Sequence, residues 1–178
     1  MKPAILALWL AGACLEPGDV IDRIAVTVDQ YVITLSDVLE EIRIAALLDG
    51  VEARFSAQAK REAAERIIER HLLTRDMQLT QFPLPGDAEV EDFIARVRQA
   101  RKLDEDAWQK ELSRYGIGAK QLHAALKQRL GVLRYVEFRF RAERQGDGAA
   151  DQVNRLVDAW LKEARQRVRI SWREEAFQ

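Results

Sequence analysis

Residues 22–38, DRIAVTVDQYVITLSDV, decide the fold of this chain. Apolar residues alternate with smaller or polar ones over residues 24–28, which is the period of a half-buried β-strand. The dipeptide Asp29-Gln30 interrupts this alternation, and residues 31–34 resume it. Ser36 then introduces a helical pattern and is a residue type that favours the N-cap position. The stretch therefore predicts a strand, a tight turn, a second strand and a helix capped by Ser36.

The first thirteen residues have the pattern of a secretory signal peptide. Lys2 supplies the positive charge, residues 4–10 form an apolar run too short to span a bilayer, and Ala11-Gly12-Ala13 fits a cleavage site. Cys14 follows and is the only cysteine in the chain, so no intramolecular disulfide is possible. Soluble export after cleavage and lipid attachment at Cys14 both stay open, and lipidation is the only route to a membrane that we expect. A misassigned start codon is the remaining alternative.

Charge and composition limit the class of partner. Charged residues make up 32% of the 178 residues, and the net charge is −1. The charged share exceeds the ordinary value of about 25%, which fits long amphipathic helices with solvated faces. Carboxylate pairs such as Glu40-Glu41 and Glu174-Glu175 are therefore expected to be solvated. Because there is no basic excess, we expect no nucleic-acid partner and no charged membrane surface.

The spacing of apolar residues predicts six helices, most of them bounded by glycine or proline. They cover about residues 37–49, 56–80, 88–102, 103–115, 119–140 and 151–167. Asp87 is placed to cap the third of these helices. Residues 168–172 alternate again and predict a short strand. The predicted fold class is mainly α, with a small antiparallel sheet made from the N-terminal hairpin and this C-terminal strand.

The N-terminal hairpin and the C-terminal strand are expected to pair in one sheet. A lone hairpin is marginally stable in water, and a third strand would give the sheet an apolar face. Trp160 and Leu161 on the preceding helix are placed to cover that face. Replacement of Trp160 by alanine should then cost about 3–5 kcal/mol, as for other buried large aromatic residues.

The order of these elements resembles the SurA family of periplasmic chaperones. The resemblance is carried by V-I-T-L-S-D-V in the hairpin segment, P-G-D-A-E-V-E-D-F-I at 85–94 and L-S-R-Y-G-I at 112–117. It continues in K-Q-R-L at 127–130 and D-A-W-L-K-E-A-R-Q-R-V-R-I at 158–170. The similarity covers about residues 20–140 and 151–172. It implies that residues 1–13 are a signal peptide and that residues 14–178 form one peptide-binding domain, located in the periplasm.

One part of the family pattern is missing from the interior of the chain. Long family members carry parvulin-type prolyl isomerase domains between the fifth helix and the C-terminal segment. Here residues 141–150 alone occupy that place, far too few for a domain, and read as a linker. We therefore expect no isomerase activity and no enzyme. The C-terminal helix and strand that complete the core are expected at residues 151–172.

Candidate site residues are apolar rather than catalytic. His71 and His123 lie on different predicted helices, and no nucleophile or phosphate-loop motif accompanies them, so we expect no metal, cofactor or small-molecule substrate. Aromatic and methionine side chains instead suit tolerant recognition of polypeptides. Ordinary core packing is the alternative for each of them. The candidate peptide-binding residues are Phe55, Met77, Phe82, Tyr135, Phe138 and Phe140.

The resemblance implies an ATP-independent chaperone that holds unfolded outer-membrane or secreted polypeptides in an apolar cleft. One rival function is a structural or assembly subunit that binds a single dedicated protein partner. The other is a residual isomerase-family member without activity. The sequence does not distinguish cleft residues from core residues, nor does it identify the client or the oligomeric state.

Overall fold

The structure, a computed structural model, describes residues 22–141 and 149–178. Within these ranges it contains six α-helices and one three-stranded antiparallel sheet, which confirms the predicted mainly α fold. The predicted signal peptide, Cys14 and most of the predicted linker lie outside the described residues. The elements are β1 Ile24–Val28, β2 Tyr31–Thr34, α1 Leu35–Asp49, α2 Ala57–Leu79, α3 Asp87–Ala100, α4 Glu105–Tyr115, α5 Ala119–Arg139, α6 Ala149–Gln166, β3 Ile170–Trp172 and a 3-10 turn Glu174–Ala176.

The strand–helix junction after the hairpin differs from its prediction. Thr34, not Ser36, is the N-cap of α1, because β2 runs directly into the helix and Thr34 keeps the extended backbone that a cap requires. The Asp37 amide donates to the Thr34 hydroxyl at 3.2 Å, and the Thr34 amide donates to the Asp37 carboxylate at 2.8 Å. This reciprocal capping box satisfies two otherwise unpaired backbone donors and fixes the direction in which α1 leaves the sheet.

The other predicted helix ends agree more closely with the structure. Gly50 and Gly116 end α1 and α4 in the left-handed conformation, with φ of 68° and 64°. Ser56 caps α2 as expected. Asp87 is instead the first residue of α3, after Gly86 at the cap, so its predicted capping role is wrong by one position. Its carboxylate still lies in the first turn, where negative charge is favoured.

The sheet joins both ends of the described chain. Its strand order is β2-β1-β3, and Val26, Thr27 and Val28 of β1 pair with residues 170–172. The hairpin turn adds two hydrogen bonds to Arg169: the Asp29 amide donates to its carbonyl, and its amide donates to the Asp29 carboxylate, both at 2.9 Å. The predicted pairing of the C-terminal strand with the hairpin is confirmed.

Two apolar clusters form the interior. The first lies between the inner face of the sheet, α2 and the C-terminal segment, and includes Val26, Ile33, Ile68 and Leu161. The second joins α1, α3, α4 and α5 around Leu47 and Trp108. The helices α2 and α5 are also in direct contact with each other. None of the helices in residues 22–141 and 149–178 is both long and apolar enough to cross a membrane.

Phe177 is a core residue that the sequence did not reveal. It follows the last strand, outside any periodic pattern, yet only 1% of its surface is exposed. Its ring lies 5.4 Å from that of Trp172, and the Arg61 guanidinium lies over it at 5.2 Å. The 3-10 turn brings it back beneath the sheet.

The loss of unfolding free energy expected for Trp160→Ala is smaller than the sequence alone suggests. Leu161 is buried as expected, but Trp160 is only partly buried against the first cluster. We therefore expect Trp160→Ala to lower the free energy of unfolding by about 2 kcal/mol, below the range for a fully buried large aromatic residue. Urea unfolding followed by far-UV circular dichroism measures this difference. A loss above about 4 kcal/mol would contradict the partial burial.

Candidate peptide-binding surface

The end of α2 and the following turn lie directly against α5. The Phe82 amide donates to the Met77 carbonyl at 3.0 Å, which folds the chain back after α2. Leu84 then packs on Gly131 of α5, where a Cβ atom would lie only 2.7 Å from the Leu84 side chain. A larger residue at position 131 would force the Leu84 side chain to move, so this glycine allows the observed close contact between the turn and α5.

Three aromatic rings meet at this junction, and we call them the aromatic surface: Phe82, Tyr135 and Phe138. The Phe82 ring centroid lies 5.4 Å from that of Tyr135, edge to face, and 5.1 Å from that of Phe138. These are favourable separations for aromatic pairs. Tyr135 is buried, Phe82 is half-buried and Phe138 is 52% exposed. The cluster therefore runs from the interior to solvent, with Phe138 outermost.

A polar network fixes the inner ring. The Tyr135 hydroxyl donates to the Asp76 carboxylate at 2.7 Å, and Arg139 forms an ion pair with the same carboxylate at 3.3 Å. Burial raises the pKa of Tyr135, and its hydrogen bond to Asp76 raises the pKa further. The phenol therefore stays protonated and keeps donating across the physiological pH range. This anchors α5 to α2 beneath the exposed ring.

Arginine side chains flank the aromatic surface. The Arg141 guanidinium lies 5.8 Å from the centroid of Phe138. Arg139 lies over both Phe140 and Trp160, at 5.7 and 5.6 Å. Such cation–π contacts hold the charged groups over ring faces while leaving N–H donors for other partners. The surface thus places apolar contact area beside guanidinium groups, a combination that suits polypeptide recognition.

The structure brings together most of the predicted site residues but buries several of them. Met77 and Tyr135 are interior, and Phe140 is nearly so. Only Phe82 and Phe138 remain accessible at this junction. Phe55 lies elsewhere, in the loop between α1 and α2, with the Arg43 guanidinium 5.9 Å from its ring centroid. Whether any of the six residues binds peptide stays a prediction, and the geometry directs attention to Phe82 and Phe138.

Leu79 is an exposed apolar residue of α2. It is the last residue of that helix and is 77% exposed. It lines a groove of about 190 Å³ between α2 and α6, together with Leu72, Trp160 and Val168. Its position at the end of the helix could have indicated this exposure in the sequence, because the last turn of a helix commonly extends beyond the elements that cover its middle.

A charged cluster in the interior was not foreseen. Glu41 of α1, expected to be solvated, is only 4% exposed. It accepts hydrogen bonds from Arg70 at 2.6 Å, Arg129 at 2.8 Å and Arg66 at 3.4 Å, and we call these three the arginine cluster. Burial acts to raise the pKa of Glu41, but the hydrogen bond from Arg70 and the three positive charges outweigh it and lower the pKa. The carboxylate therefore stays ionised and ties α1 to α2 and α5.

The fold and the aromatic surface define a class: a mainly helical protein whose small sheet joins both ends of the described chain, with aromatic and arginine side chains exposed where α2 meets α5. Chaperone SurA of Chromobacterium violaceum is 29% identical to this chain over 146 residues, covering 75% of the chain and 33% of the relative. The chain thus spans about a third of the length of that relative. No protein-family model matches the chain. These findings support a distant relationship to SurA.

Proposed function

We propose that this protein is an exported, ATP-independent chaperone that holds extended segments of unfolded outer-membrane or secreted proteins. The observation that carries the proposal is the aromatic surface, in which Phe138 is exposed and flanked by Arg141. The distant relationship to chaperone SurA supports the same role. The signal-peptide pattern of residues 1–13 supports a periplasmic location.

The chemistry of this surface suits weak and tolerant binding. Phe138 and Phe82 offer apolar area to any bulky side chain, and neither forms a closed pocket that selects one shape. Arginine donors at the rim can pair with client backbone carbonyls or carboxylates. Binding of this kind needs no nucleotide, because release follows from low affinity rather than from a driven conformational change.

Holding is proposed to occur without prolyl isomerisation. The fifth helix ends at Arg139 and the sixth begins at Ala149, so the interval between them is much shorter than a domain. A proline peptide incubated with the protein should therefore isomerise at the uncatalysed rate, over tens to hundreds of seconds. Clear acceleration in a protease-coupled assay would overturn this part of the proposal.

The holding function is tested with a matched pair of variants on α5. Phe138 and Leu133 are similarly exposed, at 52% and 55%, but lie about 140° apart around the helix axis. We expect Phe138→Ser to raise about fivefold the protein concentration that half-suppresses aggregation of an unfolded outer-membrane protein. Leu133→Ser removes similar apolar area away from the aromatic surface and should change little. Light scattering on dilution from urea gives the readout.

Two results would contradict the proposal. Equal effects of the two variants would mean that exposed apolar area alone, and not the aromatic surface, accounts for holding. No suppression of aggregation by the wild type, together with tight binding of one folded protein, would favour a dedicated assembly subunit instead. Circular dichroism of both variants confirms that the fold is retained.

A further inference from the structure

A free strand edge lies on the opposite side of the sheet from β3. Within the described part of the chain, β2 pairs only with β1, so its other side carries backbone groups that no strand satisfies. Tyr31 and Val32 of this edge are exposed, whereas Ile33 is fully buried and fixes the register. An edge of this kind is a template for another extended chain.

A cavity adjoins this edge and has a one-sided charge. It measures about 390 Å³ and is lined by Tyr31, Ile67, Arg70, His71, Thr74, Arg75, Gln78 and Gln128. Among these described residues there are two arginines but no carboxylate, and burial lowers the pKa of His71, so that its imidazole is neutral at physiological pH. The other lining groups include amide and hydroxyl side chains that can donate hydrogen bonds. The Tyr31 and His71 rings stack at 3.9 Å and form a flat wall beside the strand. We call this space the edge cavity.

The protein's own carboxylates balance only part of the positive charge here, although Asp37 also lies close enough to raise the pKa of Tyr31. Arg70 belongs to the arginine cluster, in which three guanidinium groups share the single carboxylate of Glu41. Arg75 has one partner, Asp29, at 3.5 Å, and that pair is largely exposed. The edge cavity therefore opens onto an arrangement with positive charges in excess of negative ones. A ligand that brings a carboxylate would be favoured there.

We propose that an extended polypeptide segment pairs with the free edge of β2 and places an acidic side chain in the edge cavity. The main-chain pairing supplies affinity that does not depend on sequence, and the cavity selects for Asp or Glu at one position. The inference shares with the proposed function only the premise that the ligand is an extended polypeptide. The edge cavity and the aromatic surface are lined by different residues and are tested separately.

The test uses short blocked peptides and the intact protein. The parent peptide is acetylated and amidated Thr-Val-Glu-Val-Thr; its partner has Gln in place of Glu. Two further peptides carry N-methyl groups on alternate backbone amides. In one of them the amides on one edge of the extended peptide are blocked, and in the other the amides on the opposite edge are blocked. The chain contains only two histidines, so the imidazole signals of His71 and His123 can be assigned by a His123→Gln variant and followed by NMR. Titrations are run at low ionic strength, where charge contacts are least screened.

We expect the Glu peptide to shift the His71 signal and not the His123 signal, with about tenfold higher affinity than the Gln peptide. One of the two N-methylated versions should fail to bind. Arg75→Gln, at an exposed position, should weaken the Glu peptide about threefold and leave the Gln peptide unchanged. Arg134→Gln, an exposed arginine on α5, serves as the matched control and should change neither.

Four results would overturn the inference: equal affinity for the Glu and Gln peptides, undiminished binding of both N-methylated versions, no shift of His71, or saturation of the same signal by acetate at equal concentration. The last would identify a small-anion site without strand pairing. Phe138→Ser should bind these peptides like the wild type. Failure of the aggregation assay with success of this titration would therefore separate the two proposals.

Discussion

Deletion of residues 151–178 should abolish cooperative unfolding. The deletion removes β3, so β1 becomes an edge strand and loses the pairing of residues 26–28. It also removes Phe177 and Leu161 from the first apolar cluster, which exposes the inner face of the sheet. Burial of one large aromatic and one leucine side chain contributes about 5–10 kcal/mol together. That sum is comparable to the whole stability of an ordinary domain.

The measurement is calorimetry combined with near-UV circular dichroism. The truncated chain should show no heat-absorption peak and a flat near-UV spectrum while it keeps much of its far-UV helical signal. Phe177→Ala in the full chain is the graded control: it should cost about 3–5 kcal/mol and still melt in a single transition. If the truncated chain melts as sharply as the full chain at a similar temperature, the C-terminal segment does not close the core.

Glu41→Gln should be among the most destabilising single substitutions in the chain. It removes the carboxylate that the three arginines share and leaves the guanidinium groups of α2 and α5 facing one another without it. Loss of one partner from a buried ion pair costs about 3–5 kcal/mol, and we expect about 3 because the arginines are partly exposed. The melting temperature should then fall by roughly 6–12 °C. Glu40→Gln, at the neighbouring position outside this cluster, is the control and should cost little.

The contribution of Glu41 to the free energy of unfolding should also decrease as the pH falls. Its pKa is lowered in the folded protein, so its contribution is fully present above the unfolded-state value of about 4.3. The contribution is lost as the pH falls through the lowered folded-state pKa. The difference in unfolding free energy between wild type and Glu41→Gln, measured by urea titration at pH 7 and at successively lower pH, should therefore shrink below pH about 4. A difference that stays constant into strong acid would show that shape, not charge, explains the cost.

The fold could be predicted because its elements have strong local periods. Alternation over residues 24–34 and 168–172 marked the strands, and apolar spacing marked all six helices. The pairing of β1 with β3 followed from the instability of an isolated hairpin. These signals depend only on residues close together in the sequence, so a single sequence is enough to detect them.

The interior charges and the accessible surface could not be predicted in the same way. Glu41 looks like any helix carboxylate until α2 and α5 bring three arginines to it from 25, 29 and 88 residues away. Met77, Tyr135 and Phe138 have similar character in the sequence, but the first two are buried and Phe138 is 52% exposed. Whether an aromatic side chain is buried or exposed is decided by packing between residues distant in sequence, and not by residue type.

The central position of β1 has a consequence for the timing of folding. Its first partner, β2, is synthesised at once, but the segment that pairs on its other side is made about 140 residues later. At roughly 5–20 residues per second, the ribosome needs about 7–28 s to make that interval. Throughout that time β1 has one unsatisfied side, and only a chain made to its end can cover it. The third strand is therefore added last, and an interrupted chain has a free edge on β1 with which other polypeptides can pair.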